Sequence, residues 1–483
     1  MTTTPEHTPA DAPLDLLAAS EEYWESEALP VLSDYVRIPC LSPEFDASWR
    51  ERGEIARAAE LLADWARARR IESLEVDVVT KGDLTPVILC EAPATPGGSH
   101  MAPSLLYGHL DKQPPLGAWR SGLGAFEPVR EGDRLFGRGT ADDGYSIFAA
   151  LGALEALEAT GRDHGRCVVI IEASEESGSP HLGPYLEALA GRFDPAGPGL
   201  VVCLDSGATT YDRLWFTTSL RGLVAATISV RVLTEGIHSG SGGGVVPDSF
   251  RLLRALLSRI EDERTGEILL SSCAADIPPS RRQEAEALVS ELGEAALEGI
   301  PTVPGLARAG GKGLVDQLLA RAWTASLAFV GIDGVPPVAD AGNVLRPSTT
   351  AKIAMRIPPR ADSAEVAAEL VGALTADPPE GAEVEVDDVV PANGFGAPDL
   401  APWLARASGE ASLSYFGAPS RSLGEGGTIP FLSELASSYP EAQFLVTGVL
   451  GPESNAHGPN EMLHVPTAKR LTASVAHVLS QLP

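Results

Sequence analysis

SLLYGHLD (104–111), DDGYSIFAALGALEALEATG (142–161) and RCVVIIEASEES (166–177) follow one another in the chain, and their order decides the fold. The first and third are continuous apolar runs rich in β-branched residues, as strands buried on both faces of a helix-covered sheet are. Between them lies an Ala/Leu helix, opened by Asp142 and Asp143 and closed by Gly161. Strand, helix, strand is a βαβ unit, so the pattern predicts an α/β domain with a mixed, largely parallel sheet flanked by helices. GLVVCLD (199–205) supplies a further buried strand.

Toward the N-terminus, helices are expected over 14–36 and 51–70, the second with Ile55, Ala58, Leu61, Leu62 and Trp65 at helical spacing. The first dozen residues read as a loose tail. Near Leu220 the texture changes. LVAATISVRVL (223–233) and TAKIAMRI (350–357) alternate, an amphipathic helix begins at Asp248, a second spans 363–376, and the strand EVEVDDV follows. Alternating strands with helices on one side predict an α+β domain inserted into the first. The α/β texture then returns with a helix near 399–411, the strand QFLVTGVL (443–450) and a last helix over 467–482. The expected divisions are 1–219, 220–390 and 391–483, giving two domains.

Composition bounds the partners. Lys+Arg 36 against Asp+Glu 66 gives −30, which disfavours nucleic acid and anionic membrane surfaces. Five cysteines, odd in number and without a CxxC pair, disfavour a disulfide framework and a thiolate metal site. A polar N-terminus without an apolar segment makes the cytoplasm the expected compartment.

The chemistry gathers at the predicted strand ends, where open α/β sheets place ligands. There stand His109 and Asp111 in GHLD, Asp142 and Asp143 in RGTADDG, Glu175 and Glu176 in EASEES, Asp205 in CLDSG and, after the last strand, His457 in ESNAHGPNE. Singly, each has a structural explanation: a hydrogen-bonded core histidine, carboxylates capping a helix, a solvated pair, a turn residue. Together they crowd more negative charge than Lys112 and Arg138, the nearby cations, can balance. Divalent metal is the natural compensator, and imidazole with carboxylate suits zinc, manganese or cobalt in a hydrolytic site. The set exceeds the three ligands of one ion, so an Asp bridging two ions would use the surplus. Asp111, two residues after His109, points the same way from a strand and could orient the imidazole.

The series GHLD, GRGTADDG, EASEESGS, LDSG and a late AH resembles the di-zinc metallopeptidase family of carboxypeptidase G, aminoacylase-1, succinyl-diaminopimelate desuccinylase and the carnosinases. EESGS, LRG (220–222), IHSG (237–240) and GEGGTIP (424–430) share wording with the cytosolic non-specific dipeptidase and carnosinase branch. The resemblance implies two divalent ions, His109 and Asp205 on one, Glu176 and His457 on the other, Asp142 bridging. It implies a cis bond after Asp142, Glu175 as general base, and a catalytic domain carrying an inserted lid and dimerisation domain. His238 would serve the partner subunit's active site in a homodimer. Arg356 would grip the substrate carboxylate, with Asn343, Gly426, Gly427 and Thr428 as further substrate contacts. The implied activity is hydrolysis of dipeptides or short peptides; an N-acyl-amino-acid deacylase or a carboxypeptidase on the same scaffold is the alternative. One departure stands out: dipeptidase relatives carry Arg before the EGG triplet, where this chain has Gly424, with Arg421 three residues earlier.

Overall fold

A computed structural model describes residues 12–192, 197–274, 276–297, 300, 302–307 and 313–483. The expected tail lies outside the described residues up to position 11. The two larger sheets use strands β1 (Glu75–Val79), β2 (Val87–Ala92), β3 (Ser104–His109), β4 (Cys167–Glu172), β5 (Leu200–Cys203), β6 (Gly222–Arg231), β7 (Ser326–Asp333), β8 (Ser348–Ile357), β9 (Glu383–Ala392) and β10 (Gln443–Val446). The chain divides into two compact units.

The first unit takes the chain up to Thr217, then Ala397–Leu423 and Glu434–Pro483. Its six-stranded sheet runs β1-β2-β4-β3-β5-β10. The pairs β4–β3, β3–β5 and β5–β10 are parallel, while β1–β2 and β2–β4 are antiparallel. Every residue of β3, β4 and β5 is buried, which explains their unbroken apolar reading. Helix Ser146–Ala159 is apolar nearly all round because it lies within the core, packed against helix Val465–Leu479. Trp24 Nε1 donates to Thr472 Oγ1 at 2.8 Å, and Tyr23 Oη to the carbonyl of Phe148 at 2.8 Å, tying the N-terminal helices to that layer.

Two helical expectations differ in detail. The stretch expected as one helix from 14 to 36 is Ala12–Tyr23, a π turn over Trp24–Ala28, and Leu29–Val36. The second helix begins at Glu54 rather than 51, because Gly53 takes φ of 69° and closes a separate turn, Trp49–Arg52.

The second unit takes Thr218–Gly396 and also Gly424–Ser433, a segment that the sequence leaves in the returning α/β part. Its sheet runs β7-β8-β6-β9, all antiparallel. Burial alternates along β6 and β8, as expected for a sheet covered on one face. Helices Ser249–Leu257 and Ser363–Thr375 cover that face, packing on Val224, Ile228, Ile353 and Met355. Each is capped by an aspartate: Asp248 accepts from Arg251 N, and Asp362 from Ala364 N and Glu365 N. The edges differ. Along β7, Phe329, Val330 and Ile332 are 54%, 57% and 47% exposed, whereas β9 presents Glu383, Glu385, Asp387 and Asp388 and bulges before Val390. No helix among the described residues is long and apolar enough to cross a membrane.

Candidate metal centre

All of the acidic and histidine clusters that the sequence singles out in the α/β part meet at the ends of β3, β4 and β5 in the first unit. His109 closes β3 and is fully buried. Its Nε2 lies 3.2 Å from Asp142 Oδ1, 3.8 Å from Glu175 Oε2 and 3.9 Å from Asp205 Oδ2. Asp142 stands before helix Ser146–Ala159, and its peptide bond to Asp143 is cis. The other oxygen of Asp142 lies 3.1 Å from His457 Nε2, and that nitrogen lies 3.2 Å from Glu176 Oε2. One carboxylate thus spans two imidazoles. Potential ligand atoms of His109, Asp142 and Glu176 lie within 4.8 Å of one another, as do those of His109, Glu175 and Asp205.

The electrostatics set Asp142 apart from its neighbours. Burial works against ionisation of Asp142, but hydrogen bonds from His109 and His457 outweigh it and hold its carboxyl well below the usual range. Hydrogen bonds to Asp142 and Glu176 lift His457 to about 11, although partial burial opposes them. The remaining acids move the other way. Burial and then the neighbouring Asp142 push Asp205 up to about 7 and raise Glu176; burial and then Asp205 raise Glu175 and Asp143. Two imidazoles cannot balance five clustered carboxyls, and Asp143 Oδ1 is buried without a hydrogen-bond partner. Oxygen and nitrogen donors in negative surplus fit divalent cations.

The supporting contacts were less visible in sequence. Asp111 accepts the backbone N–H of Glu175 and of Glu176, both at 3.1 Å, so its carboxylate holds the turn that carries both glutamates. His109 Nδ1 faces the Asp111 main-chain carbonyl at 3.1 Å and its carboxylate at 3.5 Å. Gln113 Nε2 donates to Glu176 Oε2 at 2.8 Å. Buried Lys112, which burial lowers to about 8, donates to the carbonyls of Tyr35, Val36 and Ile38 at 2.9, 3.3 and 2.8 Å.

Sequence reasoning missed Glu461. Its Oε1 accepts from the backbone N–H groups of Gly139, Ala141 and Asp142 at 3.0, 3.1 and 3.2 Å, and its Oε2 from Arg138 Nη1 at 2.8 Å. The signal was present. Arg138 stands out as a cation among acids, and Glu461 lies four residues beyond His457 in the same motif.

The remaining predicted residues lie in the second unit. Arg356 Nη1 donates to Thr428 Oγ1 at 2.8 Å, in the segment that contains Gly426 and Gly427. His238 is exposed, with Nδ1 accepting from Gly240 N at 3.0 Å, and its two-residue strand pairs with Val344–Leu345, directly after Asn343. Arg421, in the first unit, donates Nη1 to the carbonyl of Ser420.

Comparison with known proteins identifies the family and the fold. Residues 105–481 match the family described as Peptidase family M20/M25/M40. A cysteinylglycine-S-conjugate dipeptidase of Corynebacterium striatum is 28% identical over 437 residues, 86% of this chain and 90% of that one. The Beta-Ala-His dipeptidase of Homo sapiens is 27% identical over 288 residues, 57% of this chain and 55% of that one. The solved structure of the di-peptidase Dug1p from Saccharomyces cerevisiae has a TM-score of 0.76 at 20% identity, covering 97% of this chain and 98% of that one. For the M20 family metallo-carboxypeptidase Sso-CP2 from Sulfolobus solfataricus the TM-score is 0.77 at 19% identity, covering 94% and 99%. At these identities the structures support the fold, and the family match spans every clustered residue from His109 to His457. The chain is a member of Peptidase family M20/M25/M40.

Proposed function

We propose that this peptidase is a two-metal dipeptidase that hydrolyses the amide bond of dipeptides or short peptides beside a free C-terminal carboxylate. The observation that carries the reading is Asp142, whose two oxygens address His109 on one side and His457 on the other. His109 and Asp205 would hold one divalent ion, Glu176 and His457 the other, with Asp142 shared. Zinc is the preferred ion, with manganese and cobalt compatible with the same donors. Bound ions supply Lewis acidity for the scissile carbonyl and the attacking water.

Glu175 takes the proton from that water and delivers it to the leaving amine. Its burial suits the task, because desolvation raises its proton affinity. Asp111 keeps Glu175 and Glu176 on one turn, so that the base and its metal-binding neighbour cannot drift apart. On the second unit, Arg356 would grip the substrate carboxylate with its guanidinium fork beside Thr428, with Gly426, Gly427 and Asn343 as further substrate contacts. His238 would act in the site of a partner copy, steadying the oxyanion. The apolar, unpaired edge of β7 supports such a homodimer, with the second unit as its dimerisation domain. Five unpaired, buried cysteines fit a reducing, cytoplasmic setting.

A panel of free dipeptides, tripeptides and N-acyl amino acids, assayed after zinc or manganese loading, tests the reading. Turnover of free dipeptides is expected, with Glu175→Gln lowering kcat about a thousandfold at full metal content. Hydrolysis of N-acyl amino acids alone would overturn the dipeptidase assignment.

A further inference from the structure

Two guanidinium groups flank one short loop of the second unit, and a third arginine, Arg321, borders it through its main-chain carbonyl. Thr428 Oγ1 accepts from Arg356 Nη1 and donates to the main-chain carbonyl of Arg221 at 2.5 Å. A Cβ built on Gly426 would lie 3.0 Å from Arg221 Nη2 and 3.5 Å from the carbonyl oxygen of Arg321. Arg221 Nη1 donates to the carbonyl of Thr324 and to Ser326 Oγ at 3.1 and 3.0 Å. The Nε–H groups of Arg221 and Arg321 are buried without an acceptor. Burial, and then the like charges of Arg356 and Arg321, lower Arg221 to about 10. Glu425 is the acid that acts on Arg321.

The same region explains the departure at Gly424. A Cβ there would lie 2.4 Å from Ser219 Oγ and 2.5 Å from Ala322 Cβ, so no side chain fits. The neighbouring residue on helix Leu314–Trp323 is Arg321. Arg356, Arg221 and Arg321 act on one another with Glu425 as the opposing acid, so the region holds more positive charge than one terminal carboxylate neutralises.

We propose that this cluster selects substrates with two carboxylates, dipeptides whose C-terminal residue is Asp or Glu. Resting on the dipeptidase reading, it assigns the main-chain carboxylate to Arg356 and the side-chain carboxylate to Arg221 and Arg321. Guanidinium forks with unused N–H donors match carboxylate oxygens in number and geometry.

Two measurements on the full chain test it. With metal-loaded enzyme, kcat/KM for Ala-Glu should exceed that for the isosteric, neutral Ala-Gln at least tenfold, chiefly through KM. About a tenfold ratio is the least one charge-assisted hydrogen bond confers. Arg321→Met should reduce the ratio toward one, and Arg321→Lys should retain part of it. Calorimetric binding to the Glu175→Gln variant reads the preference without turnover. Cleavage of both dipeptides at equal efficiency by the unmutated chain overturns the selectivity and leaves the dipeptidase reading intact. Tighter binding of Ala-Glu with no dipeptide cleaved supports the selectivity and overturns the hydrolytic reading. Equal competition by sulfate or inorganic phosphate would reveal a general anion site and overturn the proposal.

Discussion

Replacing Glu461 with Gln changes one atom and breaks the hub behind Asp142. Glu461 Oε1 serves three backbone N–H groups and Oε2 serves Arg138, so the amide nitrogen of Gln must face a donor in either orientation. Arg138 and Glu461 are 1% and 0% exposed, and water cannot compensate. Removing one charge of a buried pair costs about 3–5 kcal/mol. At about 2 °C per kcal/mol, the expected fall in melting temperature is about 8 °C. With the amide nitrogen at the Oε1 position the Asp142 N–H loses its acceptor, so bound metal should fall as well, by about 10–100-fold in affinity. Calorimetric melting with and without chelator, alongside elemental analysis of dialysed protein, measures both. A Glu461→Gln protein that melts within 1 °C of the parent and keeps its full metal complement would refute the reasoning.

Exhaustive chelation should abolish hydrolysis and lower the melting temperature by about 8 °C, the effect of losing ions held at about a thousand times their dissociation constant; full activity in chelator would contradict the metal centre. Buried Glu172 accepts from Tyr107, Ser174 and Ser179, and burial with the nearby Asp111 lifts it from 4.5 to about 7. A carboxyl raised on folding holds its proton where the unfolded chain has released it, so its contribution to stability is present below pH 4.5 and declines up to pH 7, by about 3 kcal/mol. Denaturant titrations of chelated protein should show a decline over that window, and Glu172→Gln should make it shallower by about 3 kcal/mol. Gly424→Ala should destabilise by about 1–3 kcal/mol through overpacking against Ser219 and Ala322, measured by the same titrations. Val330→Glu should weaken self-association about tenfold or more in sedimentation experiments if the β7 edge is the dimer contact.

Much of this architecture was legible because burial leaves a periodic trace. Wholly buried β3, β4 and β5 read as continuous apolar runs, and half-buried β6 and β8 alternate. The clusters from His109 to His457 were legible because carboxylates and imidazoles are expensive to crowd, so their repetition at strand ends carries information. The supports were not. Glu461 works by accepting main-chain N–H groups more than 300 residues away, and Asp111 by holding the turn at Glu175, roles that no residue pattern encodes. The break at Gly53 and the π turn at Trp24–Ala28 depend on backbone geometry, which helical periodicity tolerates. At Gly424, sequence shows a departure from the resemblance; packing shows why nothing larger fits.

The ammonium of Lys112 bears on how far the chain can be shortened. The family match begins at residue 105, and each clustered residue follows it, so residues before that point could be taken for dispensable padding. Yet all three acceptors of Lys112 Nζ belong to residues 35–38, and Tyr35 Oη donates back to the carbonyl of Leu110. A chain trimmed to the matched region would leave a bare cation next to Asp111 and loosen the strand end that carries His109. The smallest portion able to hold the metal centre therefore starts before Tyr35, some seventy residues ahead of the first recognisable motif.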